Sequence, residues 1–155
     1  MQNPSHKKAD MQPKNHSQAK ERLGIKDDMN SLIFQGGELM KAGKWQAAAQ
    51  AWVEAIKLNN PAMPDGVYVR LANAYRRLGR DQDIVNLLQT AIKKNADSIA
   101  LYREVFLAHL ESGNSEAAIF IAISASLAVR SEADKSEVRE FLFRGMSRFM
   151  SRGTK

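Results

Sequence analysis

The chain is 155 residues long and contains no cysteine, so it is one domain by length, large enough for an apolar core without staples, and disulfide and thiolate chemistry are excluded. No run approaches the ~18 apolar residues of a membrane helix, and the first twenty residues lack the apolar centre of a secretory signal, so a soluble cytoplasmic protein is expected. Of the net charge of +6, residues 1–22 and 135–155 carry the excess and leave a nearly neutral body, whereas a nucleic-acid reader concentrates its cations on one face of the folded part.

In chain order, residues 1–28 read as a basic, disordered tail, polar and containing Pro4 and Pro13, with too little apolar surface to offset the entropy of ordering. From Asp28 the period turns helical. Met29, Leu32, Ile33, Gly36, Leu39 and Met40 mark one face, with Asp27 or Asp28 as a cap, and Gly43 stands where a helix stops. A second helix carries Trp45, Ala48, Ala51, Trp52, Ala55 and Ile56 and halts at Asn59–Asn60–Pro61.

The pattern then recurs. Tyr68, Leu71, Ala72 and Tyr75 precede Gly79. Ile84, Leu87, Leu88, Ala91 and Ile92 come after it, with Asp81 as the expected cap. Leu101, Tyr102, Val105, Phe106 and His109 precede Gly113, after which EAAIFIAISASLAV has no charge beyond Glu116 and is expected to be buried on most sides. A last helix, over 135–150, sets Val138, Phe141, Leu142, Met146, Phe149 and Met150 opposite Arg139, Arg144 and Arg148. It is expected to cap the array, since an uncapped repeat leaves its apolar face wet. No segment reads as a strand.

Gly43 and Ala55, Gly79 and Ala91, and Gly113 and Ala125 are each twelve residues apart, and successive glycines are 36 and 34 apart. Self-similarity at such a period marks a repeat array. With helix pairs at this spacing the chain resembles the tetratricopeptide repeat (TPR) family. Counted from Met29, Asp65 and Ile99, the family's small residue at the eighth place is Gly36, Ala72 and Phe106. Its small residues at the twentieth and twenty-seventh places are Ala48, Ile84 and Ala118, then Ala55, Ala91 and Ala125. Phe106 and Ile84 are large where the pattern is small, and Pro61 sits one place late in a two-residue insertion.

The resemblance implies an all-α, TPR-like α-solenoid of about seven helices, with three repeats over 29–62, 65–98 and 99–132. It implies a concave groove lined by the first helix of each pair, through Ile33, Gly37, Met40 and Lys41, then Val69, Asn73, Arg76 and Arg77, then Arg103, Leu107, Leu110 and Glu111, with Arg70 at the flank. The function implied is a noncatalytic adaptor or scaffold holding a peptide or helix of a partner protein, with Arg70, Arg76, Arg77 and Arg103 meeting acidic groups and Asn73 the partner's backbone. Two alternatives stand beside it, a small secretion chaperone of a type III-like system and an RNA-binding helical repeat.

Chemistry leaves little trace. His6 and His16 lie in the tail and His109 in a core slot, expected to be packed and hydrogen-bonded. No zinc spacing, nucleophile–base arrangement or phosphate-cradling loop is present. No enzyme activity, cofactor or metal is expected, nucleic acid is disfavoured as a partner, and a homodimer is left open.

Overall fold

A computed structural model describes residues 14–152, with the side chains of residues 14–23, 25 and 26 outside the description. The described residues form seven α-helices and no strand: α1 (Lys14–Lys41), α2 (Trp45–Lys57), α3 (Asp65–Arg77), α4 (Asp81–Lys94), α5 (Ile99–Glu111), α6 (Ser115–Ala128) and α7 (Glu132–Arg152).

The three glycines act as the helix-ending residues that the spacing requires. Gly43, Gly79 and Gly113 have φ of 70°, 68° and 78°, a left-handed conformation in which a Cβ costs about 1–2 kcal/mol. Each makes the same pair of closing bonds. Gly43 N–H donates to the Met40 carbonyl at 3.0 Å and Lys44 N–H reaches back to Leu39 at 2.9 Å. Gly79 and Arg80 repeat this onto Arg76 and Tyr75, and Gly113 and Asn114 onto Leu110 and His109. This double closure satisfies carbonyls that the helix end would leave orphaned, and it turns the chain back on itself. Asn114 then opens α6, its side chain accepting from Ala117 N–H at 3.1 Å, and the Ser131 hydroxyl receives Asp134 N–H at 3.1 Å to open α7.

Some helix starts differ from the sequence reading. The expected tail over residues 1–13 lies outside the described residues, but α1 already begins at Lys14, so neither Asp27 nor Asp28 is a cap. Pro13 is the last proline before α1, and the first turns of the helix hold Gln18, Ala19, Lys20, Glu21 and Arg22 in succession, residues that lose little on entering a helix. Asp81 is the first residue of α4 and not its cap. Arg80 occupies that position without a side-chain capping bond, although its guanidinium reaches Asp83 at 2.7 Å.

Packing depends on the small residues. Ala48, Ala55, Ala72, Ala118 and Ala125 are wholly inaccessible and Ala91 nearly so. The core runs from Met29, Trp52 and Leu71 through Ile84 and Leu88 to Leu101 and Val105. It continues under α7 as Phe106, Ala118, Ala122 and Phe141, and beside these as Tyr102, Ala125, Val129 and Val138. Phe106, large at a small-residue place, finds its room against α7, where its ring stacks on Phe141 with centroids 4.9 Å apart. Glycine at 145 keeps the adjoining space free: a Cβ there would lie 2.9 Å from Ile119 Cγ1. The two-residue insertion is tied down as well. Asn60 Oδ1 accepts from Ala62 N–H at 2.9 Å, Lys94 donates to Asn59 Oδ1 at 2.8 Å, and Met63 is buried.

Two expectations about burial are corrected. α6 buries Ala118, Ala122 and Ala125 but exposes Phe120, Ile123 and Leu127, because no helix lies over its outer flank. On α7 only the first half of the apolar stripe packs. Val138 and Phe141 are buried and Leu142 half-buried, whereas Met146, Phe149 and Met150 are exposed.

Within α1 the adjacent glycines have opposite roles. A Cβ on Gly36 would fall 2.6 Å from Cε2 and 2.7 Å from Cδ1 of Trp52, while one on Gly37 meets nothing within 4 Å. Trp52 is fully buried and donates Nε1–H to the Ile33 carbonyl at 3.3 Å, so its ring has no open side to retreat to. Gly36→Ala should therefore destabilise the fold by about 1–3 kcal/mol through overpacking. Gly37→Ala should stabilise it by roughly 0.5–1 kcal/mol through helix propensity. Thermal denaturation of the two variants checks the opposite signs.

Candidate functional site: an inner helical face with two clefts

The helices sort into two layers. α3 touches α5 and α5 touches α7, whereas α2, α4 and α6 make no comparable contact with one another among the described residues. α3, α5 and α7 thus lie against one another while the second helices splay, and α1 continues this layer across a cleft from α3, so that α1, α3, α5 and α7 line the inner side. The expected groove residues sit on this layer, because places separated by four, seven and eight residues share one flank of a helix.

The structure brings these residues together in two groups. Ile33, Gly37, Met40 and Lys41 of α1, with Asn30, Phe34 and Glu38, face Arg70 of α3 across a cleft of about 410 Å³. Lys41 is held by Glu38 at 2.7 Å on its own helix. At the other end Leu107, Leu110 and Glu111 of α5 face Phe143, Arg144, Ser147 and Arg148 of α7 across a cleft of about 470 Å³. Arg148 extends its guanidinium toward the Leu110 carbonyl, at 3.5 Å. The last helix is therefore a wall of the inner face as well as a cap, a role that the helical period of 135–150 did not disclose.

Between the clefts lies a polar bridge. Arg76 donates to Asn73 Oδ1 at 2.6 Å, to Glu111 Oε2 at 2.9 Å and to Glu104 Oε2 at 3.3 Å, joining α3 to α5. Burial pulls this guanidinium toward deprotonation, but its hydrogen bonds and ion pairs with Glu111 and Glu104 outweigh that and hold its pKa above the usual value. Arg103 makes a forked pair with Glu137 of α7, through Nε to Oε1 and through Nη2 to Oε2 at 2.8 Å. That hydrogen bond is the main reason its pKa is raised. Two-point arginine–carboxylate pairing adds directional specificity to the charge attraction.

The other expected residues divide. Val69 is half-buried and packs against the core. Arg77 leaves the inner face and lies over the half-buried Trp45 ring of α2, 5.6 Å from its centroid. Arg70 is exposed and makes no ion pair among the described residues. His109 is half-buried, and loss of solvent lowers its pKa.

Arg76 and Arg103 thus have partners inside the chain. Glu111 lies 35 residues beyond Arg76, and Glu137 lies 34 beyond Arg103. In a helical array, residues one period apart lie side by side on neighbouring repeats. Opposite charges at the repeat spacing were the signal available in the sequence.

No protein-family model and no curated protein matches the sequence, but solved structures share the fold. PcrH from Pseudomonas aeruginosa superposes with a TM-score of 0.63 at 18% identity, over 77% of this chain and 92% of that one. The TPR2B domain of yeast Sti1, solved as a pHsp70 complex, gives 0.63 at 17% identity, over 77% and 97%. A T3SS complex from Aeromonas hydrophila gives 0.63 at 17% identity, over 83% and 85%.

Reversing one charge of the Arg103–Glu137 pair should lower the melting temperature, by roughly the 0.2–1 kcal/mol of a partly exposed pair plus like-charge repulsion. The exchange Arg103→Glu with Glu137→Arg should recover most of the loss. A double-mutant cycle followed by thermal denaturation measures the coupling.

Proposed function

Starting from the tetratricopeptide-repeat fold, we propose that this chain is a noncatalytic protein-interaction module that holds a peptide or helix of a partner protein along its inner face. The observation that carries this is the pair of clefts, each lined by apolar side chains of the inner helices and separated by a bridge whose two arginines are already paired within the chain. Ile33 and Met40 anchor the ligand at one end, with Lys41 and Arg70 beside them. Leu107 and Leu110 anchor it at the other. Asn73, Arg76 and Arg103 form the span between, with Val69 packed beneath it, while Arg77 lies off the span over Trp45. Apolar surface gathered in concave places on a rigid helical layer is what a partner side chain fills.

The charge layout refines the partner. Glu104 and Glu111 neutralise Arg76 at the centre, while Arg70 stands at the first cleft and Arg144 and Arg148 at the second. A ligand with apolar anchors and acidic flanks fits this better than one with a continuous run of negative charge. An RNA strand needs cations along its whole track, and the central ones are spent on internal pairs. The inner-face carboxylates are likewise engaged, Glu38 by Lys41 and Glu104, Glu111 and Glu137 by arginine, which supports a binding role over acid–base chemistry.

A second reading, a chaperone of a type III-like secretion system, has one specific support, the T3SS complex from Aeromonas hydrophila among the structures of this fold. In that reading the ligand is a segment of a secreted protein.

The test is photocrosslinking in the native host. A benzophenone side chain placed at Arg70 or Leu107 should capture the same partner, and one at the exposed Gln89 of α4 should not. Introducing Phe143→Glu, at an exposed side chain of the same cleft, should reduce the Leu107 adduct about tenfold or more, as expected for a charge placed in an apolar anchor site. Capture from Gln89 alone, or adducts indifferent to Phe143→Glu in a chain with unaltered circular dichroism, would overturn the inner-face assignment.

A further inference from the structure

The end of the array carries an apolar surface separate from the α1–α3 cleft and from the central bridge. Val138 of α7 packs with Ala125 and Val129 of α6, while Gly145 lies against Ile119, so the two helices run antiparallel. α7 directs Phe141 at Phe106 of α5. Its exposed apolar residues continue round the helix on the side away from Phe141, through Met146 to Phe143 and Met150. On α6, Phe120, Ile123 and Leu127 occupy the flank away from the buried Ala118 and Ala125, at intervals of three and four residues. These six side chains are between 46% and 85% exposed, and no described element covers them.

The area is decisive. At about 200 Å² for a side chain of this size, the six present roughly 800 Å² to solvent, and the five apart from Phe143, which also lines the α5–α7 cleft, roughly 600 Å². The largest apolar patch of a typical monomer is about 300–600 Å², and one partner's share of a standard protein interface is about 800 Å².

The charges around the patch select the occupant. Glu116 precedes Phe120 at the start of α6. Arg130 comes after α6 and Arg139 stands early in α7, at the opposite end of the same face because the helices are antiparallel. All three are exposed, and none makes a salt bridge within the described chain. In an isologous contact whose two-fold axis runs across the helices, each end of the patch meets the other end of its copy. Glu116 of one protomer then meets Arg130 and Arg139 of its partner, twice over. An anionic bilayer would be attracted by Arg130 and Arg139 but opposed by the exposed Glu116, which the two-fold contact alone pairs.

We infer that the α6–α7 end face is a homodimer interface, with two copies of this chain packed antiparallel through Phe120, Ile123, Leu127, Met146 and Met150 and oriented by Glu116 against Arg130 and Arg139. The inference goes beyond the inner-face reading: the patch borders the α5–α7 cleft at Phe143, but none of the five interface residues lines either inner cleft.

Sedimentation velocity of the full chain across a concentration series tests it. The expected species at high concentration has twice the chain mass of 17.3 kDa. Phe120→Glu and Leu127→Glu change side chains that face solvent in the monomer, so circular dichroism should be unaltered while the dissociation constant rises about tenfold or more, because each buries an unpaired charge in the dimer. Glu116→Arg should weaken the dimer, and adding Arg139→Glu should restore part of the loss, which a general apolar attraction would not do. A chain that stays monomeric, a dimer untouched by the two glutamate variants, or a monomer that floats with phosphatidylserine vesicles through this face would each overturn the assignment.

Discussion

Everything in this fold depends on a backbone reversal repeated three times. At Gly43, Gly79 and Gly113 the chain enters a conformation that costs an ordinary residue more than a kilocalorie, and two hydrogen bonds close each helix end at the same places. The second helix must then run back along the first. Alanines set twelve residues after the glycines let it lie close enough to exclude water. Two layers result without further instruction, because odd and even helices are placed on opposite sides of each reversal. The inner face is thus a consequence of the turns and not of any residue that lines it.

The residues on that face show how an array uses its own period. Arg76 and Arg103 reach forward by about one repeat to carboxylates on the next inner helix. This leaves a middle whose arginines are already paired and two ends where apolar side chains border open space. A surface so arranged is distinguished by its shape and by the position of its apolar side chains more than by net charge. It also explains how a chain of strongly basic composition can have an inner face that is not strongly basic.

How much of this was legible depends on what kind of signal each feature left. Glycine at a reversal and alanine at a close approach are nearly irreplaceable, so their spacing exposed the helix pairs and the small-residue contacts directly. Arg76 and Arg103 were legible as members of the inner stripe, but their partners lie a whole repeat away, beyond the reach of a helical period. α6 misled for a physical reason. A segment without charge is buried on all sides only if another layer lies over it, and hydropathy cannot tell a middle helix from one beside the end of the stack. The same reasoning applies to α7, whose stripe continues past the last helix it could pack upon. The early start of α1 left only a propensity signal, masked by a polar, basic composition that also suits a tail.

The cross-repeat ties are not evenly distributed. Ionic links join α3 to α5 and α5 to α7, whereas the first pair meets the second through the Arg77–Trp45 stacking contact, the buried core and the bond from Lys94 to the uncharged side chain of Asn59. Seen as stitching, the solenoid is uneven: oppositely charged side chains lace α3, α5 and α7 into one strip, whereas α1 stands apart from α3 around their cleft and is held chiefly by its packing on α2. The width of that cleft is therefore set by the core beneath it and not by ties across it.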